Sequence, residues 1–159
     1  MAARPDPDRL AAGKRLLEVA GVVTSHLDAD LRDQCGMPLV WFSALEALRD
    51  AEGSLRVQEL AAAMGVHKST ASRVLDRLVE QEMALREADP TDGRGAYAVI
   101  SRVGRERLRR ASAVHGRSVQ RHLGRHLTDG GAEGLLAALG KVPTANDHGR
   151  STSTTRASA

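Results

Sequence analysis

Apolar residues recur at helical spacing along most of this chain. Over 10–32, Leu16, Leu17, Ala20, Val23, Thr24, Leu27 and Leu31 form one stripe, the i, i+3, i+4, i+7 pattern of an amphipathic helix. Gly36 stops it, and Pro38 opens a second helix at the first-turn position that proline tolerates. That helix carries Trp41, Phe42, Leu45 and Leu48 inward and ends near Glu52-Gly53. A short extended piece at Leu55-Arg56 leads to a compact helix over 57–64, with Leu60, Ala61 and Met64 inward. Gly65 stands where a left-handed helix cap favours glycine. The next helix spans 67–81, with Ala71, Val74, Leu75 and Leu78 on one side.

The period then changes. Residues 84–87 read as a strand, 89–95 (DPTDGRG) are dense in turn formers, and 96–100 read as the returning strand of a hairpin. Ser101 is a good N-cap for a long helix to about 127. A last helix over about 128–142 carries Leu135, Leu136 and Leu139 before Pro143. The stretches 1–9 and 143–159 are polar and aperiodic and are expected to be disordered. Residues 10–142 are thus expected to form a single domain.

Composition narrows the function. The chain has one cysteine, Cys35, which excludes an intrachain disulfide and a cysteine-only zinc site. No apolar run approaches the ~20 residues of a membrane span, and 1–10 lacks the apolar core of a signal peptide, so a cytoplasmic location is expected. Trp41, Phe42 and Tyr97 are the complete aromatic set, too few for a platform that stacks unpaired bases. The net charge is +3, but it is uneven: residues 1–80 carry 10 basic and 12 acidic groups, whereas 94–125 carry nine Arg and one acid, Glu106. Such a run fits an anion-facing surface, or a solvated helix face.

The centre of the chain is helix, glycine-containing turn, helix, then hairpin, the order of a winged helix-turn-helix. The second helix has one apolar side for docking and one polar side for a major groove. Its first two turns present Lys68, Ser69, Thr70, Ser72 and Arg73 with no acid among them; Asp76 and Glu80 come later. These donors suit phosphates and base edges, and the positive end of the helix dipole favours anions. Lys68 and Arg77 are candidate phosphate contacts. At the hairpin tip, Arg94 between two glycines suits a narrow minor groove, with Asp92 placed to support it.

The stretch 59–108 resembles the winged helix of the MarR family of bacterial transcription regulators. The likeness rests on the Leu-Ala-x-x-x-Gly helix, Ser-Thr-x-Ser-Arg in the recognition helix and the Asp-Pro-x-Asp-x-Arg wing. The strand running into Ser-x-x-Gly-Arg completes it. The resemblance implies a mainly α fold with a small β-hairpin wing. It implies N- and C-terminal dimerisation helices (10–36 and 101–142) flanking a DNA-binding lobe (37–100). It further implies a homodimeric repressor on a pseudo-palindromic operator, released by a small anionic aromatic effector. Arg15, Trp41 and Phe42 are the candidate effector cleft. The chain departs from the family pattern at His67, where Ser or Thr usually caps the recognition helix, and at Gly93, where a second basic wing residue is common.

Other constellations are weaker. His115, His122 and His126 fall on one face of the long helix, with i, i+4 spacing between the last two, but no third ligand is identified, so no metal is expected. His26-x-Asp28-x-Asp30 cannot converge on one side of a helix. Cys35 has only Arg32 nearby to acidify it, and packing is the favoured role. Gly65-Val66-His67-Lys68-Ser69 lacks the glycine before lysine of a phosphate loop. No nucleophile–base set is evident, so no enzymatic activity is expected. The rival functions are a metal- or thiol-responsive regulator of the same fold, and a winged helix used for protein contacts.

Overall fold

The computed structural model describes residues 6–89 and 95–143. About seven-tenths of the described residues are helical, set around a small sheet: α1 (Pro7–Cys35), α2 (Leu39–Asp50), β1 (Ser54–Arg56), α3 (Val57–Ala63), α4 (Lys68–Glu80), β2 (Ala84–Ala88), β3 (Ala96–Ile100), α5 (Arg102–His122), a 3-10 turn (Gly124–His126) and α6 (Asp129–Leu139).

The first helix begins three residues earlier than its apolar stripe suggests. Asp6 accepts hydrogen bonds from the N–H groups of Asp8 (2.9 Å) and Arg9 (3.5 Å), and Pro7 takes the first turn. Residues 7–9, expected to be frayed, are therefore helical. The helix ends at Gly36, whose φ of 60° is a conformation that a side chain disfavours. The N–H groups of Gly36 and Met37 close the end on the carbonyls of Arg32 (2.9 Å) and Leu31 (3.3 Å).

Pro38 lies just outside α2 rather than in its first turn. The start of α2 is capped from another helix instead: the Leu39 N–H donates to Asp28 Oδ1 of α1 at 2.8 Å. The same carboxylate receives Arg32 Nε at 2.6 Å. These two bonds, Arg32's first, hold the Asp28 carboxyl below its usual range.

The expected two-stranded hairpin is a three-stranded antiparallel sheet in the order β1-β3-β2. The extended piece before α3 pairs with the returning strand, Leu55 opposite Ala98, while Leu85 lies opposite Val99. A three-residue edge strand is too short to show alternation, which is why its sequence did not announce the pairing.

Phe42, Leu45 and Leu48 of α2, Leu60 of α3, Leu75 and Leu78 of α4, Met83, and Leu108 and Ala111 of α5 form the core with Leu31 and Met37. At ~1.5–3 kcal/mol for each fully buried large side chain, this cluster supplies the main drive for folding. Gly104 is buried where α5 crosses the turn after α4, and a Cβ there would overlap the Met83 carbonyl oxygen. Ser101 caps α5 as expected, accepting from the Gly104 N–H at 3.0 Å, and its own hydroxyl donates to the Glu82 carbonyl at 2.6 Å.

The two ends of the chain are packed less than their apolar stripes imply. On α1 only Leu27 and Leu31 are buried, whereas Leu17 is 75% exposed. No residue of α6 is buried, and Leu136 is 72% exposed. Helix α5 stops at His122, short of 127, and the last helix is Asp129–Leu139 rather than 128–142. No described helix is long and apolar enough to cross a membrane.

Candidate nucleic-acid interface

Helix α4 is pinned by its apolar side. Ala71, Leu75 and Leu78 are fully buried and Val74 nearly so, so the opposite side is fixed outward. Lys68, Ser69, Thr70 and Arg73 are exposed and Ser72 is half-buried. Neither Lys68 nor Arg73 makes an ion pair with a described residue. Both charges are therefore available to a ligand.

Arg77 is different. Its Nη1 is 2.7 Å from Glu80 Oε2 on the same helix, and that bond raises its already high pKa. A phosphate must draw Arg77 away from Glu80, so its contribution is smaller than its position in the sequence suggests. His67 precedes the helix with extended backbone and makes no side-chain cap. The departure noted at this position thus has a structural consequence: no side chain occupies the first N–H groups of α4.

Two arginines that the sequence did not single out organise the base of the hairpin. Arg86 of β2 reaches across to α4, its Nη2 donating to Asp76 Oδ1 (2.7 Å) and Ser72 Oγ (3.2 Å). Arg56, at the end of β1, places Nη2 2.8 Å from Asp89 Oδ2 and donates from Nε to the Tyr97 hydroxyl at 3.0 Å. Asp89 is 4% exposed, and its N–H donates to the Gly95 carbonyl at 3.1 Å, closing the root of the wing. Nothing in the local sequence signals either contact: Arg86 stands between Leu85 and Glu87 in a strand without alternation, and the Arg56–Asp89 pair joins residues 33 positions apart in the chain. The wing tip, with Asp92 and Arg94, lies outside the described residues.

The proposed effector cleft is not assembled as expected. Phe42 is 1% exposed and stacks on His115 with ring centroids 4.5 Å apart, so it is core. Trp41 packs at the edge of that core. Arg15 lies on the protruding half of α1, 3.5 Å from Glu18, and lines a different cavity with Val19, His122 and His126. Residues 15 and 41 are kept apart because α2 packs on the C-terminal end of α1, near Asp28.

His115 and His122 are stacked on other rings, whereas His126 is exposed and accepts from Arg125 Nε at 3.0 Å. His122 stacks on His26 at 4.2 Å and lies 3.5 Å from Asp30. His126 falls in the 3-10 turn, which breaks the i, i+4 geometry with His122. Asp30 accepts the Ser118 hydroxyl, the main cause of its lowered pKa. Among the described residues no three His, Cys, Asp or Glu side chains gather as a metal site. Cys35 is half-buried, beside Arg107 and Arg110 of α5.

A docked helix with a polar, cationic outer face, followed by a hairpin wing, defines the winged helix-turn-helix class of DNA-binding proteins. The MarR family model matches residues 36–95. Sco3205 of Streptomyces coelicolor, a MarR family transcriptional regulator solved in complex with DNA, has a similar structure. Its TM-score is 0.77 at 28% identity, covering 90% of this chain and 93% of that one. AbsC, a MarR family regulator of the same organism, gives 0.77 and 28% over 94% of this chain and 99% of its own. MarR of E. coli shares the fold at a TM-score of 0.69 and 23% identity, over 82% and 96% of the two chains. No curated protein sequence matches the chain. The chain is thus similar, by family model over its winged-helix lobe and by structure over most of its length, to DNA-binding transcriptional regulators of the MarR family.

Proposed function

We propose that the protein is a homodimeric repressor that binds a pseudo-palindromic operator. Ser69, Thr70, Ser72 and Arg73 read or position the DNA in the major groove, Lys68 and Arg77 contact phosphates, and Arg94, supported by Asp92, enters the minor groove. The observation that carries this reading is the outer face of α4, whose first two turns are exposed, cationic and free of acids. The dimer reading is supported by the apolar residues left exposed at both ends of the chain. Leu10, Leu16, Leu17 and Val22 of α1 and Leu136 and Leu139 of α6 are exposed large apolar side chains that a partner copy could cover. Residues 10–36 and 101–142 accordingly form the dimerisation region and 37–100 the DNA-binding lobe. Two lobes on a two-fold axis reach half-sites about one helical turn (~34 Å) apart.

An anionic aromatic effector that releases the DNA belongs to the same reading, but in another place than Arg15, Trp41 and Phe42. A cavity of about 300 Å³ between the end of α1 and α5 is lined by Gln34, Cys35, Met37, Arg107 and Arg110. It offers an apolar wall and two guanidinium groups to one ligand. Selection of bound duplexes from random DNA, followed by a screen of small aromatic acids for release, tests the proposal. Enrichment of a palindrome supports it; no enriched sequence at low salt refutes it.

A further inference from the structure

A cleft of about 340 Å³ lies where the first turns of α4 meet the root of the wing. Arg56, Lys68, Ser72, Arg86 and Asp89 line it. Three of these are cations and one is a carboxylate. Asp89 and Arg56 are paired at 2.8 Å, so their charges offset each other. Lys68, which makes no ion pair with a described residue, leaves the cleft with an excess of positive charge, to which Arg86 adds when Asp76 releases it. Arg86 is held at its edge by Asp76 and Ser72 of α4.

We infer that this cleft seats a phosphate of the DNA backbone, and that Arg86 exchanges Asp76 for that phosphate on binding. The inference rests on the DNA-binding reading above and adds a contact to it. A duplex whose major groove receives Ser69 and Arg73 carries one of its strands along the flank of α4 toward the wing, past this cleft. The Asp76–Arg86 pair is open to solvent, with side chains 57% and 35% exposed. Exposed pairs of this kind contribute little to stability, so the exchange is inexpensive. A phosphodiester presents two oxygens to the guanidinium fork, which a single carboxylate oxygen does not match. Asp76 stands on the outer side of α4 in its third turn and repels a phosphate. The pair therefore places an opposing carboxylate and a releasable cation in one contact.

The rival reading is a strut, in which Arg86 ties β2 to α4 and keeps Asp76 as its partner in the complex. Titrating a selected operator against the full-length protein over a range of salt separates the two. Arg86→Gln is expected to weaken binding at least about tenfold and to reduce the slope of log K against log[salt] by about two, one for each protomer of the dimer. Arg86→Lys, which keeps the point charge, restores the slope. Asp76→Asn tightens binding several-fold, because it releases Arg86 and removes a repelling charge. A strut gives the opposite result: Arg86→Gln and Asp76→Asn both weaken binding, with the wild-type slope. That outcome overturns the inference. If Arg86→Gln fails to fold, Arg86→Lys and Asp76→Asn decide the question alone. Wild-type protein that binds no duplex overturns the DNA-binding reading itself. Operator binding that is lost in Arg73→Ala but unchanged in Arg86→Gln overturns the cleft alone.

Discussion

Replacing Arg73 with alanine separates the two things α4 does. Its side chain is exposed and makes no ion pair with a described residue, so its removal leaves no buried group behind. The expected change in folding stability is within ~0.5 kcal/mol, as for other surface substitutions. Loss of a base contact costs ~1–3 kcal/mol per half-site. A symmetric dimer loses the contact twice at sites far enough apart to add. The total is ~2–6 kcal/mol, or about 30-fold to 10⁴-fold in operator affinity at ~1.4 kcal/mol per decade. Fluorescence anisotropy with the selected operator, and with single-base variants of each half-site, measures both affinity and discrimination. The loss should concentrate at one base position, where the variant no longer distinguishes the preferred base. Arg77→Ala is the internal comparison: because Arg77 is already bonded to Glu80, it should weaken all sequences evenly and by less. An Arg73→Ala protein with wild-type affinity and discrimination refutes the assignment of α4 as the reading helix.

Four further outcomes follow from packing and charge. Gly104→Ala drives a methyl group into the Met83 carbonyl and should cost ~1–3 kcal/mol, read as a lower denaturation midpoint. Glu82 has a φ of 58° directly after α4, so Glu82→Gly relieves left-handed strain and should raise stability by ~0.5–1 kcal/mol in the same assay. The carboxyl of Asp28 is held below its ordinary value of 3.8 by Arg32 and the Leu39 N–H; a depressed folded pKa stabilises the protein above the unfolded value and is lost as pH falls through the folded one. Asp28→Asn should therefore be less stable than wild type near neutral pH and indistinguishable from it in strong acid, and a constant difference across that range would contradict this assignment. Leu17→Glu and Leu136→Glu alter residues that are 75% and 72% exposed, so the winged-helix lobe should stay folded while sedimentation shows the proposed dimer dissociating; unchanged sedimentation would count against these helices as its interface.

The helices of the lobe were legible because each carries a stripe wide enough to show its period. The stripe of α4, Ala71, Val74, Leu75 and Leu78, is the side that is buried. Its opposite side was legible by subtraction, since docking one face of a helix presents the other. The left-handed stops at Gly36 and Gly65 were legible too, with φ of 60° and 64°, because glycine alone adopts that conformation freely. The effector cleft was misread for the complementary reason. Trp41 and Phe42 are as apolar as a ligand box, and sequence does not say which apolar side chains a domain covers with its own elements. His115 stacks on Phe42 here, inside the domain's own core.

By itself the sequence determined the helical framework, the wing strands, and that the outward side of the first two turns of α4 carries donors without acids. These depend on neighbours one to four residues apart, whose relations survive in a one-dimensional pattern. Tertiary structure decided what long-range pairing alone can decide. It placed β1 in the sheet, capped α2 with Asp28 and brought Arg86 across to Asp76. It also left the first half of α1 and all of α6 uncovered by the other described residues. The energy of a charge depends on where its counter-charge lies in space, so the same count of arginines divides into free, paired and exchangeable groups only after the chain has folded.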